Sequence, residues 1–186
     1  MDAPLQLFTY DVIDSRHQTN DFPQGILKMT PQPSYVMPLR TDIVAYSPDH
    51  SLVVVVECEG GNQTSPQYAA LLRRSLITHR LLPDAPYLLI ASPTGFFLWL
   101  EQTPPGEPPD FSASAASVLH HYVGKLAEDT EGIRRDALQL VLFGWLADLA
   151  DAIRQPDPCS EADQMLVKSG LYDKIRRGQV KFGVAP

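Results

Sequence analysis

The sequence has few of the residues and motifs on which many functional sites depend. Only two cysteines, Cys58 and Cys159, occur among its 186 residues, and no C-x-x-C pair is present, which argues against a disulfide framework. The HExxH zinc motif, the GxxxxGKS/T phosphate loop and the GxGxxG dinucleotide motif are absent. The adjacent histidines His120 and His121 also lack the i, i+4 spacing of a zinc-binding helix.

Basic residues are scarce as well. Fifteen Lys and Arg against 22 Asp and Glu give a net charge of −7. Because non-specific affinity for nucleic acid comes mainly from basic side chains that neutralise phosphates, this balance argues against a generic nucleic-acid coat. Residues 164–186 are the exception, with five basic side chains and one acidic side chain. This basic end is either a contact for phosphate or an acidic partner, or a solvated helix face.

No hydrophobic run is long enough to cross a bilayer. The most apolar stretch, residues 138–147, is about half the roughly 20 residues that a membrane-spanning helix needs. The first residues lack a basic segment followed by an apolar one, so the sequence predicts no signal peptide. We therefore expect a cytoplasmic protein with no membrane contact.

What the sequence does contain, from residue 41 onward, is an alternation of strands and helices. The β-branched run Leu52–Val56 predicts a buried central strand over 51–58. The turn Ser47-Pro48-Asp49-His50 pairs that strand with one at 41–46 as an antiparallel hairpin. A helix over 66–81 and strands at 87–91 and 96–101 follow. This order predicts an α/β fold with a mixed sheet.

The predicted organisation has three parts. Residues 1–102 form an α/β core with an extended, proline-rich N-terminal segment, in which a weak sequence signal allows a strand at 25–29. Residues 103–110 are a Pro-rich linker, and residues 111–186 are a helical region packed on the core. Within that region we predict helices at 112–127, 131–154, 160–168 and 171–177 and an edge strand at 179–184. The second helix carries an apolar stripe from Leu138 through Trp145 to Ile153, which could be core or a dimer face, and we predict that it covers the sheet first.

Three carboxylates form the strongest candidate site. Asp42 begins one strand of the hairpin, and Glu57 and Glu59 end its partner, so pairing brings them to the same edge of the sheet. Clustered carboxylates are costly unless a cation neutralises them, and their oxygens suit Mg²⁺ or Mn²⁺. The alternative is that Glu57 and Glu59 mark the solvated end of a buried strand.

The segment 40–101 resembles the core of the PD-(D/E)XK, or restriction endonuclease-like, nuclease superfamily. The resemblance rests on Thr41-Asp42-Ile43, then Val56-Glu57-Cys58-Glu59, then a helix and a strand. It implies a restriction endonuclease-like mixed sheet flanked by helices, here with a helical C-terminal extension. It also implies metal-dependent hydrolysis of phosphodiester bonds in DNA, with Mg²⁺ or Mn²⁺ as the cofactor and a homodimer as the assembly.

The resemblance also implies the site residues. Asp42 and Glu57 would bind the metal together with the backbone carbonyl of Cys58. Glu59 replaces the lysine of the family motif, so it would act as the base that accepts a proton from water or as a further ligand. With Asp42 and Glu57, Glu59 completes the predicted catalytic set. This replacement leaves a second hypothesis open, a catalytically inactive nuclease fold that serves as a binding or assembly module.

Three side chains of the predicted first helix are candidate phosphate contacts: Gln67, Arg73 and Arg74. Gln67 lies in the first turn, where it either reaches the site or is simply exposed. Arg73 and Arg74 are neighbours and point about 100° apart on a helix, so we expect at most one of them to follow a bound nucleic acid.

Overall fold

The computed structural model describes residues 40–60, 65–124 and 133–184. Within them lies a six-stranded sheet with the order β5-β4-β3-β2-β1-β6. The strands are β1 (Arg40–Tyr46), β2 (Leu52–Cys58), β3 (Tyr87–Ala91), β4 (Gly95–Leu100), β5 (Phe111–Ser114) and β6 (Gln179–Val184). The helices are α1 (Pro66–Thr78), α2 (Ala116–Val123), α3 (Arg135–Ala150), α4 (Glu161–Lys168) and α5 (Leu171–Ile175).

The hairpin and the crossover that follows it agree with the sequence predictions. Strands β1 and β2 pair antiparallel, with Ile43 opposite Val56. Helix α1 then returns the chain so that β3 runs parallel to β2, and β4 and β5 are added antiparallel. Ser65 caps α1 by accepting the Tyr68 N–H, and Pro66 follows as its first residue. The fold is therefore α/β with a mixed sheet, as expected.

Helices cover the two faces of the sheet unequally. Helix α1 packs through Ala69 and Ala70 against Ile90, Phe97 and Trp99. On the opposite face, α2 to α5 join the larger hydrophobic core, where the Trp145 ring stacks on Phe96 with 5.3 Å between the ring centroids. The aromatic residues of β4, Phe96, Phe97 and Trp99, are therefore all buried, on both faces of the sheet.

The Pro-rich segment 103–110 differs from its predicted role as a linker. It connects the neighbouring strands β4 and β5, so the sheet continues into the region that we predicted to be helical. Residues 112–114 belong to β5, and the following helix begins at Ala116. The four-residue segment Phe111–Ser114 is too short and too weakly alternating to be distinguished by sequence from a helix start.

Helix α3 is shorter than predicted. It ends at Ala150, and Ile153 is 74% exposed, so this residue does not belong to the apolar stripe. Trp145 and the rest of the stripe are buried in the core. The predicted edge strand at 179–184 is present as β6, whereas the predicted strand at 25–29 lies outside the described residues. None of the helices in the described ranges is both long and apolar enough to traverse a bilayer.

A fully buried carboxylate ties α3 to α4. Both oxygens of Asp163 accept hydrogen bonds from the guanidinium of Arg154, at 2.7 and 2.8 Å. The Trp145 indole N–H and the Asp157 backbone N–H each donate to it as well, both at 2.7 Å. Burial by itself would raise the pKa of Asp163, but these donors outweigh it and lower the pKa.

Candidate functional site

Asp42 lies at the start of β1, where its carboxylate accepts hydrogen bonds from three directions. The Cys58 backbone N–H donates to Oδ2 at 2.7 Å, and the Gln139 side-chain amide donates to Oδ1 at 2.6 Å. The Arg135 guanidinium donates to Oδ2 at 2.9 Å and to Oδ1 at 3.1 Å. The predicted approach of Asp42 to the end of β2 is therefore present, and Asp42 is fully hydrogen-bonded there.

Glu57 lies beside Asp42 with far fewer partners. Glu57 is 7% exposed, and its Oε2 is 3.8 Å from the guanidinium of Arg135. Its other oxygen, Oε1, is buried with no hydrogen-bond donor among the described residues. Burial, and next the negative charge of Asp42, raise the pKa of Glu57 to about 8. Glu57 is thus a buried carboxyl group whose charge Arg135 compensates only in part.

The two residues that follow Glu57, Cys58 and Glu59, differ in how deeply they are buried. The thiol of Cys58 is buried in the hydrophobic core, where desolvation raises its pKa, so it is not a candidate nucleophile. The backbone of Cys58 contributes its N–H to Asp42. Glu59 follows the end of β2, is half-buried and is fixed by its N–H, which donates to the Ala91 carbonyl at 2.7 Å.

Arg135 and Gln139 complete the site, and sequence reasoning missed both. They lie one turn apart at the N-terminus of α3, 93 and 97 residues from the Asp42 that they bind. No motif connects such distant residues. One local signal was present, because Arg134 and Arg135 begin a helix at the end where acidic side chains are normally favoured.

Arg73 does not lie where the prediction of a phosphate contact requires. The residue is 4% exposed, and its two terminal nitrogens donate to the carbonyls of Pro104 and Thr103 at 2.7 and 2.6 Å. Its guanidinium also lies 5.6 Å from the centre of the Trp99 ring. Arg73 therefore fixes the β4–β5 connection to α1 and is not available to a nucleic acid.

The other two candidate phosphate contacts are exposed. Gln67 is in the first turn of α1, and Arg74 lies two turns further along the helix. A Cβ on Gly106 would lie 3.5 Å from Cδ of Arg74, so this side chain extends over the β4–β5 connection. In the described structure, the hydrogen bonds and ion pairs of Asp42 and Glu57 involve neither Gln67 nor Arg74.

An open groove of about 500 Å³ borders the site. It is lined by Gly60, Arg134, Arg135, Asp136 and Gln139, so it adjoins the carboxylates only through the two residues that bind Asp42, Arg135 and Gln139. A Cβ on Gly60 would lie 3.4 Å from the Cβ of Arg135, which is an ordinary contact distance, so the chain after β2 passes directly beside the start of α3. Across residues 40–60, 65–124 and 133–184, no group of three or more His, Cys, Asp or Glu side chains is arranged to hold a metal ion. Any ion at this site would therefore depend on the Asp42–Glu57 pair.

Comparison with other proteins assigns no relative. No protein-family model matches this chain, and neither the curated proteins nor the solved structures contain a match. The functional argument therefore rests on the site itself.

Proposed function

We propose that this chain is a metal-dependent phosphodiester hydrolase of the PD-(D/E)XK type, acting on DNA, with Asp42 and Glu57 as the metal ligands. The observation that carries the proposal is the pairing of these two carboxylates at one edge of the sheet, with Glu57 Oε1 buried and without a donor in the described structure. The hairpin, helix and parallel strand around them support a restriction endonuclease-like core.

The donor set suits a hard divalent cation. Mg²⁺ and Mn²⁺ prefer carboxylate oxygens, and a buried carboxylate without a donor is stabilised by a cation. Asp42 and Glu57 would hold the ion, and the resemblance implies that the backbone carbonyl of Cys58 would be a further ligand. Such an ion acidifies water and stabilises negative charge on a phosphate. Glu59, at the end of β2, would accept the proton of the attacking water.

A second function is favoured by a different observation. Asp42 already accepts hydrogen bonds from Arg135, Gln139 and the Cys58 N–H. A carboxylate that its own chain neutralises suits a non-catalytic nuclease fold that acts as a binding or assembly module. A homodimer remains a prediction under both functions.

Cleavage of plasmid DNA with Mg²⁺ or Mn²⁺ tests the choice. We expect metal-dependent nicking by the wild type and a loss of about a hundredfold or more in Glu57→Ala, because removal of even a second-shell partner of a metal typically costs about 10–100-fold and removal of a ligand should cost no less. Glu101→Ala is the matched control, because Glu101 is an exposed glutamate away from the site. No cleavage by any variant, with no calorimetric binding of Mn²⁺, would leave only the binding module.

A further inference from the structure

Arg135 occupies a position that helix stability does not explain. It is the first residue of α3, preceded by the N-cap Arg134, which makes no side-chain capping hydrogen bond. Cations at a helix N-terminus are unfavourable, because the free N–H groups there already carry partial positive charge. The partners of Arg135 must therefore compensate for its position, and those partners are Asp42 and Glu57.

The ion pair of Arg135 with Asp42 and Glu57 has the geometry of a weak, reversible contact. A single nitrogen of Arg135 serves both oxygens of Asp42, so the paired, two-nitrogen geometry of a strong arginine–carboxylate contact is not formed. The Arg135 side chain is 52% exposed, whereas the side chains of Asp42 and Glu57 are 12% and 9% exposed. The carboxylates are thus fixed in the interior, while their cation lies at the solvent boundary.

The remaining donors can hold Asp42 without Arg135. The Gln139 amide and the Cys58 N–H contact it from α3 and β2, and both are uncharged. If Arg135 moved into the adjoining groove, Asp42 would keep its position but lose its neutralising charge. The site would then present two carboxylates to whatever cation replaced the guanidinium.

We infer that Arg135 is a built-in competitor of the divalent cation, which occupies the Asp42–Glu57 pair until a metal ion displaces it. The inference rests on the proposed function, since it takes the pair to be a metal site. Because the Arg135 guanidinium and the metal ion bind the same carboxylates, the metal affinity is lowered to the extent that the guanidinium ion pair is stable. In turn, a bound metal ion favours release of the guanidinium.

Calorimetric titration with Mn²⁺ tests this competition without any activity assay. We expect Arg135→Gln to bind Mn²⁺ about tenfold more tightly than the wild type, a difference equal to ~1.4 kcal/mol. Arg135→Lys, which keeps the charge, should remain within about threefold of the wild type. Arg134→Gln is the matched control, because Arg134 is the adjacent exposed arginine and pairs with Asp136 instead. Its affinity should stay within about twofold of the wild type.

A second measurement uses the wild type and so does not depend on the folding of a variant. Saturating Mg²⁺ should accelerate modification of Arg135 by an arginine-specific dicarbonyl reagent, measured by mass spectrometry with Arg134 as the internal reference. Equal Mn²⁺ affinity of the wild type and Arg135→Gln, or unchanged reactivity of Arg135 in a metal-binding wild type, would overturn the inference and leave the proposed function standing. Absence of Mn²⁺ binding in every variant would overturn both.

Discussion

Two arginine–carboxylate clusters in this protein, one at Asp163 and one at Asp42 and Glu57, contain the same kinds of group but shift the pKa of their buried acid in opposite directions. At Asp163, one arginine faces one carboxylate through two nitrogens, and two further N–H groups complete the shell. At Asp42 and Glu57, one nitrogen of Arg135 lies near two carboxylates, and one oxygen of Glu57 is left without a donor in the described residues.

The pKa shifts of the two buried acids follow from this difference. Asp163 is completely buried, yet its donors lower its pKa. Glu57 is slightly less buried, and its pKa is raised to about 8 by burial and by Asp42. Burial alone therefore does not determine whether a carboxylate stabilises the fold; the number of donors that accompany it does. The first cluster is a structural connection, and the second is the one that we propose to bind a cation.

The largest expected change in stability comes from breaking the Asp163 cluster, which is complete in the sense that both carboxylate oxygens have donors. Asp163→Asn would leave the half-buried guanidinium of Arg154, whose side chain is 21% exposed, without its counter-charge, so we expect a loss of about 3 kcal/mol in the free energy of unfolding, measured by urea denaturation. Asp173→Asn, at an exposed aspartate, is the control and should change stability by less than about 0.5 kcal/mol. A similar small change at both positions would show that the buried ion pair contributes little.

The cluster of Asp42 and Glu57 is incomplete, because Glu57 Oε1 has no donor in the described residues, and it should make the protein less stable as the pH rises. With a pKa of about 8 in the folded state and an ordinary value of 4.5, Glu57 binds a proton more tightly when folded than when unfolded. Its contribution to stability is complete below about pH 4.5 and is lost as the pH rises toward 8, at up to ~1.4 kcal/mol per pH unit. Glu57→Gln should remove this slope and be more stable than the wild type at pH 8.

Urea denaturation at several pH values between 5 and 9 measures that slope. Glu101→Gln is the control for the loss of one exposed negative charge and should retain the slope of the wild type. If the wild type and Glu57→Gln show parallel pH profiles, Glu57 is not the buried, poorly compensated acid described above.

The smallest effect concerns one donor of the complete cluster. Trp145→Phe removes the indole N–H from Asp163 and should cost about 1–3 kcal/mol by thermal or urea unfolding. Trp99→Phe is matched in size and burial, but its indole N–H donates to the neutral carbonyl of the exposed Glu107. Because water can replace that donor, Trp99→Phe should cost less, and an equal or larger loss would argue that packing, not the charged acceptor, dominates.

The hairpin and its two carboxylates were predictable because each depends on local sequence. The β-branched run of β2, the turn at 47–50 and the capping serine of α1 each determine their own element. The antiparallel pairing then brings Asp42 next to Glu57 by geometry alone. Strand β5 was not predictable in this way, because its four residues are held in the sheet by β4 and not by their own pattern.

Arg135 was missed for a related reason. We predicted its helix to start at 131, which would have placed both arginines inside the helix, where their charges have no consequence. The structure begins the helix at Arg135, and only then is the cation in an unfavourable position that requires a partner. The partner is supplied by tertiary packing across 93 residues, which periodicity does not encode.

The pairing of β1 with β6 affects the order in which the sheet can be completed. Strand β1 lies between β2 and β6, and Thr41 donates to the Gly183 carbonyl at 2.7 Å, across 142 positions of the chain. The strand that carries Asp42 therefore remains an open edge of the described sheet until Gln179–Val184 have been synthesised and have paired with it. Contacts this distant in the chain form slowly, so β1 is exposed to wrong strand pairing during that interval. Deletion of Gln179–Val184 should therefore lower the yield of correctly folded protein more than the loss of so short a strand would suggest.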